Sequence, residues 1–283
     1  MATLRETKDH ISSVRSTLKI TSAMKLVASS KLRKAQRAIE LLRPYETALG
    51  SIYDSLASGL CTDASDSRLC KNAVAVVAVA SNSSLCGSFN ANVIKKVLGV
   101  VTGAQDGTVV YSVGRKMAEA MKKAGYESPR ELSNLIGHPS YAEAAGLADE
   151  LCEAFVAGKY SRIVLVYNHF VNASKQISVV EQYLPFEAPA SDSDAAASPE
   201  EYFILEPGRD EIARELLPKV LKLKLYAAIL DSAAAEHAAR TIAMQTASDN
   251  AQDLLGELTL EYNKARQQKI TAELLDLASG IQK

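Results

Sequence analysis

Apolar side chains and threonines recur at alternating spacings of three and four residues along positions 3–57. This seam consists of Leu4, Thr7, Ile11, Val14, Leu18 and Thr21, followed by Ala28, Leu32, Ala35, Ile39 and Leu42. Such a heptad-like pattern predicts one long helix that packs along a helical partner. The helix would extend about 80 Å, and Pro44 predicts a bend or a local break within it.

Residues 209–279 carry a second seam of the same kind. Its members are Ile212, Leu216, Val220, Leu223, Ala227, Leu230 and Ala234, and it resumes with Ala247, Ala251, Leu254 and Leu258. A continuous helix over this stretch would reach about 105 Å, and Pro218 falls early enough for a helix to tolerate it. Two long terminal helices with such seams are expected to form an antiparallel coiled coil from the chain's own ends.

The middle of the chain has a different period. Short apolar runs predict strands at 73–80, 107–113, 162–167, 177–183 and 202–205, and helical patterns begin at about Asn90 and cover 114–123 and 140–158. Alternating strands and helices are typical of a parallel, doubly wound α/β domain. We therefore predict a Rossmann-like α/β domain inserted between two long terminal helices, with domains at 1–58, 70–206 and 207–283.

Composition places the chain among ordinary globular proteins. Of its 283 residues, 47% are hydrophobic and 23% charged, which excludes a disordered or collagen-like chain. The longest apolar run, Ala73 to Ala80, is far shorter than the ~20 residues of a membrane span, and the first residues lack the apolar core of a secretory signal. Four cysteines without a Cys-x-x-Cys pair argue against a zinc site and favour a reducing cytoplasm.

Charge is unevenly distributed, although the net charge is only -1. Residues 1–43 hold ten Lys and Arg against three acidic residues, and residues 186–215 hold nine acidic residues against two arginines. Such polarity indicates distinct partners at different places along the chain. Nucleic acid is not expected among them, because the basic helix has no interleaved aromatic residues and the pI of the chain is about 6.5.

Motifs for catalysis or cofactor binding are weak. The loop from Ser81 to Gly87 follows the first strand of the α/β domain, where doubly wound folds often bind a ligand, but the chain has neither a dinucleotide-binding nor a P-loop glycine pattern. We interpret this loop as a structural turn and expect no cofactor and no metal. Ser16 and Ser22 each begin a Ser-x-x-Lys, and Ser248 begins Ser-Asp-Asn, as in penicillin-binding enzymes, but Lys-Thr-Gly is absent.

Four ordered blocks of sequence carry a resemblance that covers the whole chain. They are Ile20-Thr-Ser-Ala-Met-Lys-Leu-Val-Ala28 with Lys31-Leu-Arg-Lys-Ala-Gln36, Leu85-Cys-Gly-Ser-Phe-Asn90, Ala235-Glu-His-Ala-Ala-Arg240, and Tyr262-Asn-Lys-Ala-Arg-Gln267 leading to Ile270-Thr-Ala-Glu273. In content and order these blocks resemble the gamma subunits of bacterial F-type ATP synthases. The resemblance implies a non-catalytic rotor. Its coiled-coil shaft stands inside a ring of three alpha and three beta subunits, and its α/β domain rests on the c-subunit ring beside epsilon.

The resemblance also implies which residues of the C-terminal helix meet partners. Arg266 and Gln267 match family positions that hydrogen-bond a beta-subunit loop near the top of the shaft, and Thr271 and Glu273 belong to the same block. Arg240 matches the family as well, together with Glu236 and His237. For these three, packing within the coiled coil is an equal alternative to a contact with the surrounding ring.

The resemblance also implies a role for the positive charge of the N-terminal helix, because in the family acidic loops of the beta subunits lie around the shaft and would attract it. The residues expected to meet them are Met24, Lys25, Lys31, Arg33 and Lys34. An exposed ion pair is worth only about 0–1 kcal/mol, so steric push by the shaft must carry much of the torque.

The alternative interpretation is a free-standing α/β ligand-binding or hydrolase domain whose terminal helices dimerise. The rotor interpretation instead places the chain at the cytoplasmic face of a bacterial inner membrane, associated through the complex only. It also predicts that the isolated chain binds no ATP, since nucleotide would bind the partner subunits.

Overall fold

The computed structural model describes residues 4–57, 73–103, 107–130, 132–186, 206 and 208–280. Its elements are α1 (Leu4–Ala57), β1 (Val74–Val79), α2 (Phe89–Gly103), β2 (Val109–Val113), α3 (Arg115–Lys123), α4 (Ser133–Gly137), α5 (Tyr141–Val156), β3 (Arg162–Phe170), β4 (Gln176–Leu184) and α6 (Arg209–Gly280). The chain divides into two compact units, which we call unit 1 (residues 1–29 and 240–283) and unit 2 (residues 30–239). Both boundaries fall within α1 and α6, so each unit contains part of both helices.

The sheet of unit 2 has the strand order β2-β1-β3-β4. Strand β1 pairs in parallel with β2 and with β3, as predicted, but β4 pairs antiparallel with β3. The short connection between β3 and β4 explains this difference from the parallel arrangement that we expected. Asn172 and Lys175 close it with two backbone hydrogen bonds of 3.2 Å, whereas a parallel pairing needs a crossover of a dozen or more residues.

Strand β1 is buried on both faces of the sheet. Val76 and Ala78 pack with buried residues of α2 and α3, whereas Val77 and Val79 pack with α4, α5 and α6 on the other face. A strand covered on both faces needs apolar side chains at every position, which accounts for the uninterrupted apolar run from Ala73 to Ala80. The doubly wound, Rossmann-like arrangement is thus confirmed for the three parallel strands.

Most predicted elements lie close to their expected limits. Strand β2 begins at Val109, two residues later than expected, and the five-residue helix α4 was not predicted because it is too short to show a period. Helices α1 and α6 continue through Pro44 and Pro218 without a break. The strand predicted at 202–205 and most of the acidic segment lie outside the described residues. The predicted domain limits stay a prediction.

In unit 1, the N-terminal part of α1 packs against the C-terminal part of α6. Val14 shares a buried cluster with Ala251 and Leu258, and the Ser248 hydroxyl donates a 2.8 Å hydrogen bond to the Thr21 hydroxyl. All of these residues except Ser248 belong to the two predicted seams, and their pairing runs antiparallel. The seam differs from the prediction at one place, where Leu255 packs into this cluster and Leu254 is 39% exposed.

The same two helices pack together in unit 2. Leu32 contacts the small residues Ala234 and Ala238 in one buried cluster, and Leu49 packs with Val220 in another. Further along, the Arg209 side chain donates a 2.8 Å hydrogen bond to the carbonyl of Leu56. Residue numbers rise along α1 as they fall along α6, so the antiparallel pairing that the seams predicted is present in each unit.

Candidate partner-binding surfaces

The residues predicted to meet a partner near the end of α6 are all exposed. Arg266 and Gln267 make no side-chain hydrogen bond or ion pair with any described residue. Thr271 donates a 2.9 Å hydrogen bond to the Gln267 carbonyl, and Glu273 lies 3.7 Å from the Lys269 ammonium in a pair that is well exposed on both sides. The unpaired guanidinium and amide are therefore the two groups of this block that are most available to a partner.

Exposed leucines follow the same block, and sequence reasoning missed them. Leu274, Leu275 and Leu277 are 61%, 65% and 66% exposed, and Leu260, which precedes the block, is 73% exposed. On α1 of the same unit, Leu26 is 70% exposed. Large apolar side chains that are exposed close together on one segment are typical of an interaction surface. Their exposure could not be read from the sequence, because leucines at these positions look the same as leucines of a helix that packs within the chain.

The basic residues of α1 lie in both units. Met24 and Lys25 are half-buried in unit 1, whereas Lys31, Arg33 and Lys34 are exposed in unit 2. Arg240 and Glu236 are instead buried, at 8% and 7% exposure. Burial of these two side chains favours packing within the chain over a contact with a partner, and partner binding at Arg240 stays an untested prediction.

The loop after β1 uses its polar groups internally. The Ser81 hydroxyl donates to the Ser83 carbonyl at 2.6 Å, and the Ser81 backbone N–H donates to Asn90 Oδ1 at 3.1 Å. Cys86 and Phe89 are buried beside Ala235 of α6. Helix α6 therefore covers the edge of the sheet where β1 and β3 end. Doubly wound folds often bind ligands at such an edge, and its filling by α6 supports our interpretation of the loop as a structural turn.

A charged cleft of about 290 Å³ lies in unit 2 between α1, α6 and the β3–β4 pair. The Lys224 ammonium lies 2.8 Å from a Glu181 oxygen, and the Tyr167 hydroxyl donates to the other oxygen at 3.1 Å. Asp231 contacts the His169 ring and accepts a 3.2 Å hydrogen bond from the Phe170 backbone N–H. Burial raises the pKa of Asp231, and its hydrogen bond with His169 partly opposes that effect.

Glu46 lines this cleft without a hydrogen-bond partner among the described residues. Burial and the neighbouring Glu181 raise its pKa above the usual 4.5, and Arg43 partly offsets them. The folded protein then holds this proton at a higher pH than the unfolded chain does. Stability is therefore expected to rise as the pH falls from the raised value towards 4.5, where the unfolded chain also takes up the proton.

We expect Glu46→Gln to stabilise the protein at neutral pH, by less than about 1 kcal/mol because solvent screens a half-buried group. The free energy of unfolding of the full chain, measured between pH 4 and pH 8, should lose part of its pH dependence. Glu40→Gln, at an exposed position of the same helix, is the control and should change stability by less than about 0.5 kcal/mol. Destabilisation by Glu46→Gln at neutral pH would contradict this account of the cleft.

Within the described ranges, no group of three or more His, Cys, Asp or Glu residues is placed to hold a metal ion. Among the described helices, none combines the length and the apolar character that a membrane span needs.

Comparison with known proteins extends over almost the whole chain. The model of the ATP synthase family matches residues 3–282. The ATP synthase gamma chain of Bacteroides thetaiotaomicron is 46% identical over 99% of both chains. That of Flavobacterium johnsoniae is 41% identical over 100% of this chain and 99% of the relative.

Two solved structures have a similar fold at low sequence identity. A chain of the OSCP/F1/c-ring structure of Euglena gracilis mitochondrial ATP synthase matches with a TM-score of 0.70 and 18% identity, over 99% of this chain and 93% of the other. A chain of the central stalk/c-ring structure from Tetrahymena thermophila matches with a TM-score of 0.61 and 23% identity, over 81% and 99%. These matches agree with a mixed sheet joined to long paired terminal helices, and with the family match they show that this chain belongs to the gamma chain family of ATP synthases.

Proposed function

We propose that this chain is the central-stalk rotor subunit of a bacterial F-type ATP synthase. It couples ion flow through the membrane ring to ATP synthesis and hydrolysis at catalytic sites on the beta subunits, and it has no catalytic site of its own. The observation that carries the proposal is full-length similarity to relatives named as the gamma chain, at 41–46% identity over nearly the whole chain. Solved structures of similar fold are described as rotor or central stalk, which agrees with it.

The exposed groups of unit 1 fit a shaft that turns inside a ring. Leu274, Leu275 and Leu277 offer an apolar surface that slides without making strong directional bonds, and the nearby Arg266 and Gln267 offer donors for a beta-subunit loop. In unit 2, the exposed basic residues Lys31 and Lys34 would attract acidic loops that come within about one Debye length, about 8 Å at physiological salt. Alpha and beta subunits are therefore the partners of these exposed residues.

Coupling would be mechanical. At each angle the shaft presents a different face to each beta subunit and so favours one of its conformations. Changing a two-state population from 1:99 to 99:1 requires about 5.5 kcal/mol of differential interaction, and one exposed ion pair supplies at most about 1 kcal/mol. Many apolar and steric contacts must therefore act together, with the charged residues adjusting the positions at which the rotor pauses.

The remaining partners follow from the same assignment. The c-subunit ring and epsilon bind the α/β domain of unit 2, and the chain associates with the membrane only through this complex, at the cytoplasmic face of the inner membrane. The competing possibility is a free-standing ligand-binding or hydrolase domain that dimerises through its terminal helices. That possibility predicts that the chain alone is active, and that it can be purified in good yield without partner subunits.

Co-expression separates the two functions. The chain with an affinity tag should co-purify with alpha and beta subunits in a fixed ratio, and expression alone should give a low yield without ATP binding in calorimetry. A homodimer that forms equally well with and without those subunits would overturn the rotor assignment. A tight stoichiometric ATP site on the isolated chain would also overturn it.

A further inference from the structure

We propose that unit 2 contains a binding site for a small phosphate-type dianion, in the cavity between α3 and the segments 126–130 and 132–133 beside the edge strand β2. The cavity has a volume of about 270 Å³. Sites for drug-sized ligands usually measure about 300–1,000 Å³, so this cavity is at the lower limit of that range and has ample room for a small anion. Every residue that lines it belongs to unit 2, and none belongs to the partner-binding residues predicted above.

A buried hydroxyl without a partner lies against this cavity. Ser112 is only 2% exposed, and its Oγ has no hydrogen-bond partner among the residues that the structure describes. It lies on the same face of β2 as Val110, which packs with Met117 and Met121 of α3, so it faces the side on which the cavity opens. A buried hydroxyl left unpaired is unfavourable, and an anion oxygen in the cavity would accept its hydrogen bond.

Among the described residues that line the same space, three are cationic, Arg115, Lys122 and Arg130, and one is acidic, Glu127. Arg115 is held in place because its Nε and Nη2 donate to the Asn82 carbonyl at 3.2 and 3.0 Å. A guanidinium has five N–H donors, so roughly three remain for a ligand. Lys122 has no ion-pair partner among the described residues, which leaves its ammonium group available.

Arg130 is the third cation of the cavity. Its Nη1 lies 3.4 Å from a Glu150 oxygen in a pair that is about half exposed, so this contact is weak and leaves the other donors available. Together these side chains offer donors from several directions, as recognition of a tetrahedral dianion requires, because each oxygen accepts more than one charge-assisted hydrogen bond. A halide ion would use only a few of these donors.

The start of α3 does not hold the anion. Asn82 Oδ1 accepts the Arg115 backbone N–H at 3.0 Å, and the Ser81 carbonyl accepts that of Lys116 at 3.0 Å. Recognition therefore rests on the side chains that line the cavity. The ligand chemistry is that of a phosphate group, either free inorganic phosphate or the phosphate of a small monoester.

Binding can be measured on the full chain expressed alone, since the nucleotide-binding partner subunits would contribute phosphate sites of their own. Inorganic phosphate, methyl phosphate and chloride are titrated at constant ionic strength, and calorimetry and thermal stability are recorded. We expect saturable binding of phosphate in the millimolar range or tighter and none of chloride. Stronger binding of methyl phosphate than of phosphate would identify a monoester as the ligand, and the reverse order would identify the free ion.

Two variants and one control assign the binding to this cavity. Lys122→Gln should weaken phosphate binding about tenfold or more, since it removes a charged donor. Ser112→Ala should weaken it several-fold while leaving the stability without phosphate unchanged or higher, because the buried hydroxyl has no partner to lose. Lys123→Gln changes the same charge on the next residue, which does not line the cavity, and should leave binding unchanged.

The proposal is overturned if the wild-type chain shows no saturable phosphate binding at concentrations up to about 20 mM, a range that covers weak specific sites. It is also overturned if Lys123→Gln weakens binding as much as Lys122→Gln does, because the measurement would then report general surface charge. Failure of the rotor assignment would leave this outcome unaffected, since the cavity belongs to unit 2 and the titration needs no partner subunit.

Discussion

Gly114→Ala should destabilise the chain by about 3–5 kcal/mol, a loss large enough to unfold much of unit 2. Gly114 connects β2 to α3 with a φ of 98°, which alanine rarely adopts. A Cβ at this position would lie 2.0 Å from the Ala80 carbonyl oxygen and 3.2 Å from the Ser81 carbonyl oxygen. Both neighbours are backbone atoms at the end of the buried strand β1, so they cannot move aside without disturbing the sheet.

Gly99→Ala provides the control for this substitution. Gly99 lies at an exposed position of α2, and a Cβ there would meet no atom within 4 Å. Alanine favours a helix over glycine by about 1 kcal/mol, so this variant should be slightly stabilised. Chemical denaturation of the full chain compares the two variants, and equal stability of Gly114→Ala and the wild type would show that the β2–α3 turn is not as tight as described.

Arg266→Ala should lower ATP turnover of the assembled enzyme without preventing its assembly. The guanidinium is exposed and has no partner among the described residues, so a beta-subunit carboxylate can pair with it. Truncation of a desolvated charged pair costs about 2–5 kcal/mol, so ATP turnover should fall at least about 30-fold if the pair is desolvated. Truncation of a pair at the rim of an interface costs under about 1 kcal/mol. The helix itself should be unaffected, because Arg and Ala are both good helix formers.

Gln267→Ala is the companion variant, with Gln268→Ala and Lys123→Ala as controls on the adjacent position and on unit 2. Assembly, ATP hydrolysis and ion pumping are measured for all four variants. We expect turnover and coupling to fall in the first two variants and to stay normal in the controls. Normal turnover and pumping in both shaft variants would contradict the assigned role, and failed assembly would instead identify a structural anchor.

Much of the fold could be predicted because its signals are local and repeated. The seams that contain Val14 and Leu258 repeat over dozens of residues, so one misplaced position, Leu254, did not alter the helix or its partner. The apolar run of β1 predicted a strand, and the two cores show that this strand is covered on both faces. The direction of β4 was not predicted correctly, because strand direction depends on how far the connection reaches and not on the apolar pattern.

The sites were harder to predict because their properties arise from packing. Nothing in the sequence distinguishes Leu275 from a core leucine, yet it is 65% exposed. Arg240 belongs to the same family resemblance as Arg266, but only one of the two side chains is exposed. The unpaired state of the Ser112 hydroxyl and the partial burial of the Glu46 carboxylate depend on the side chains packed around them, so only the structure shows them.

The most direct test of the central claim is to observe whether the chain turns inside its complex. A fluorophore on Lys123→Cys, in a chain whose four native cysteines are replaced, reports the orientation of unit 2 in single complexes held through their beta subunits. During ATP hydrolysis we predict stepwise rotation in one direction, three steps to a revolution, that stops when ATP is removed. A fixed orientation in complexes that still hydrolyse ATP would contradict the assignment of this chain as the rotor.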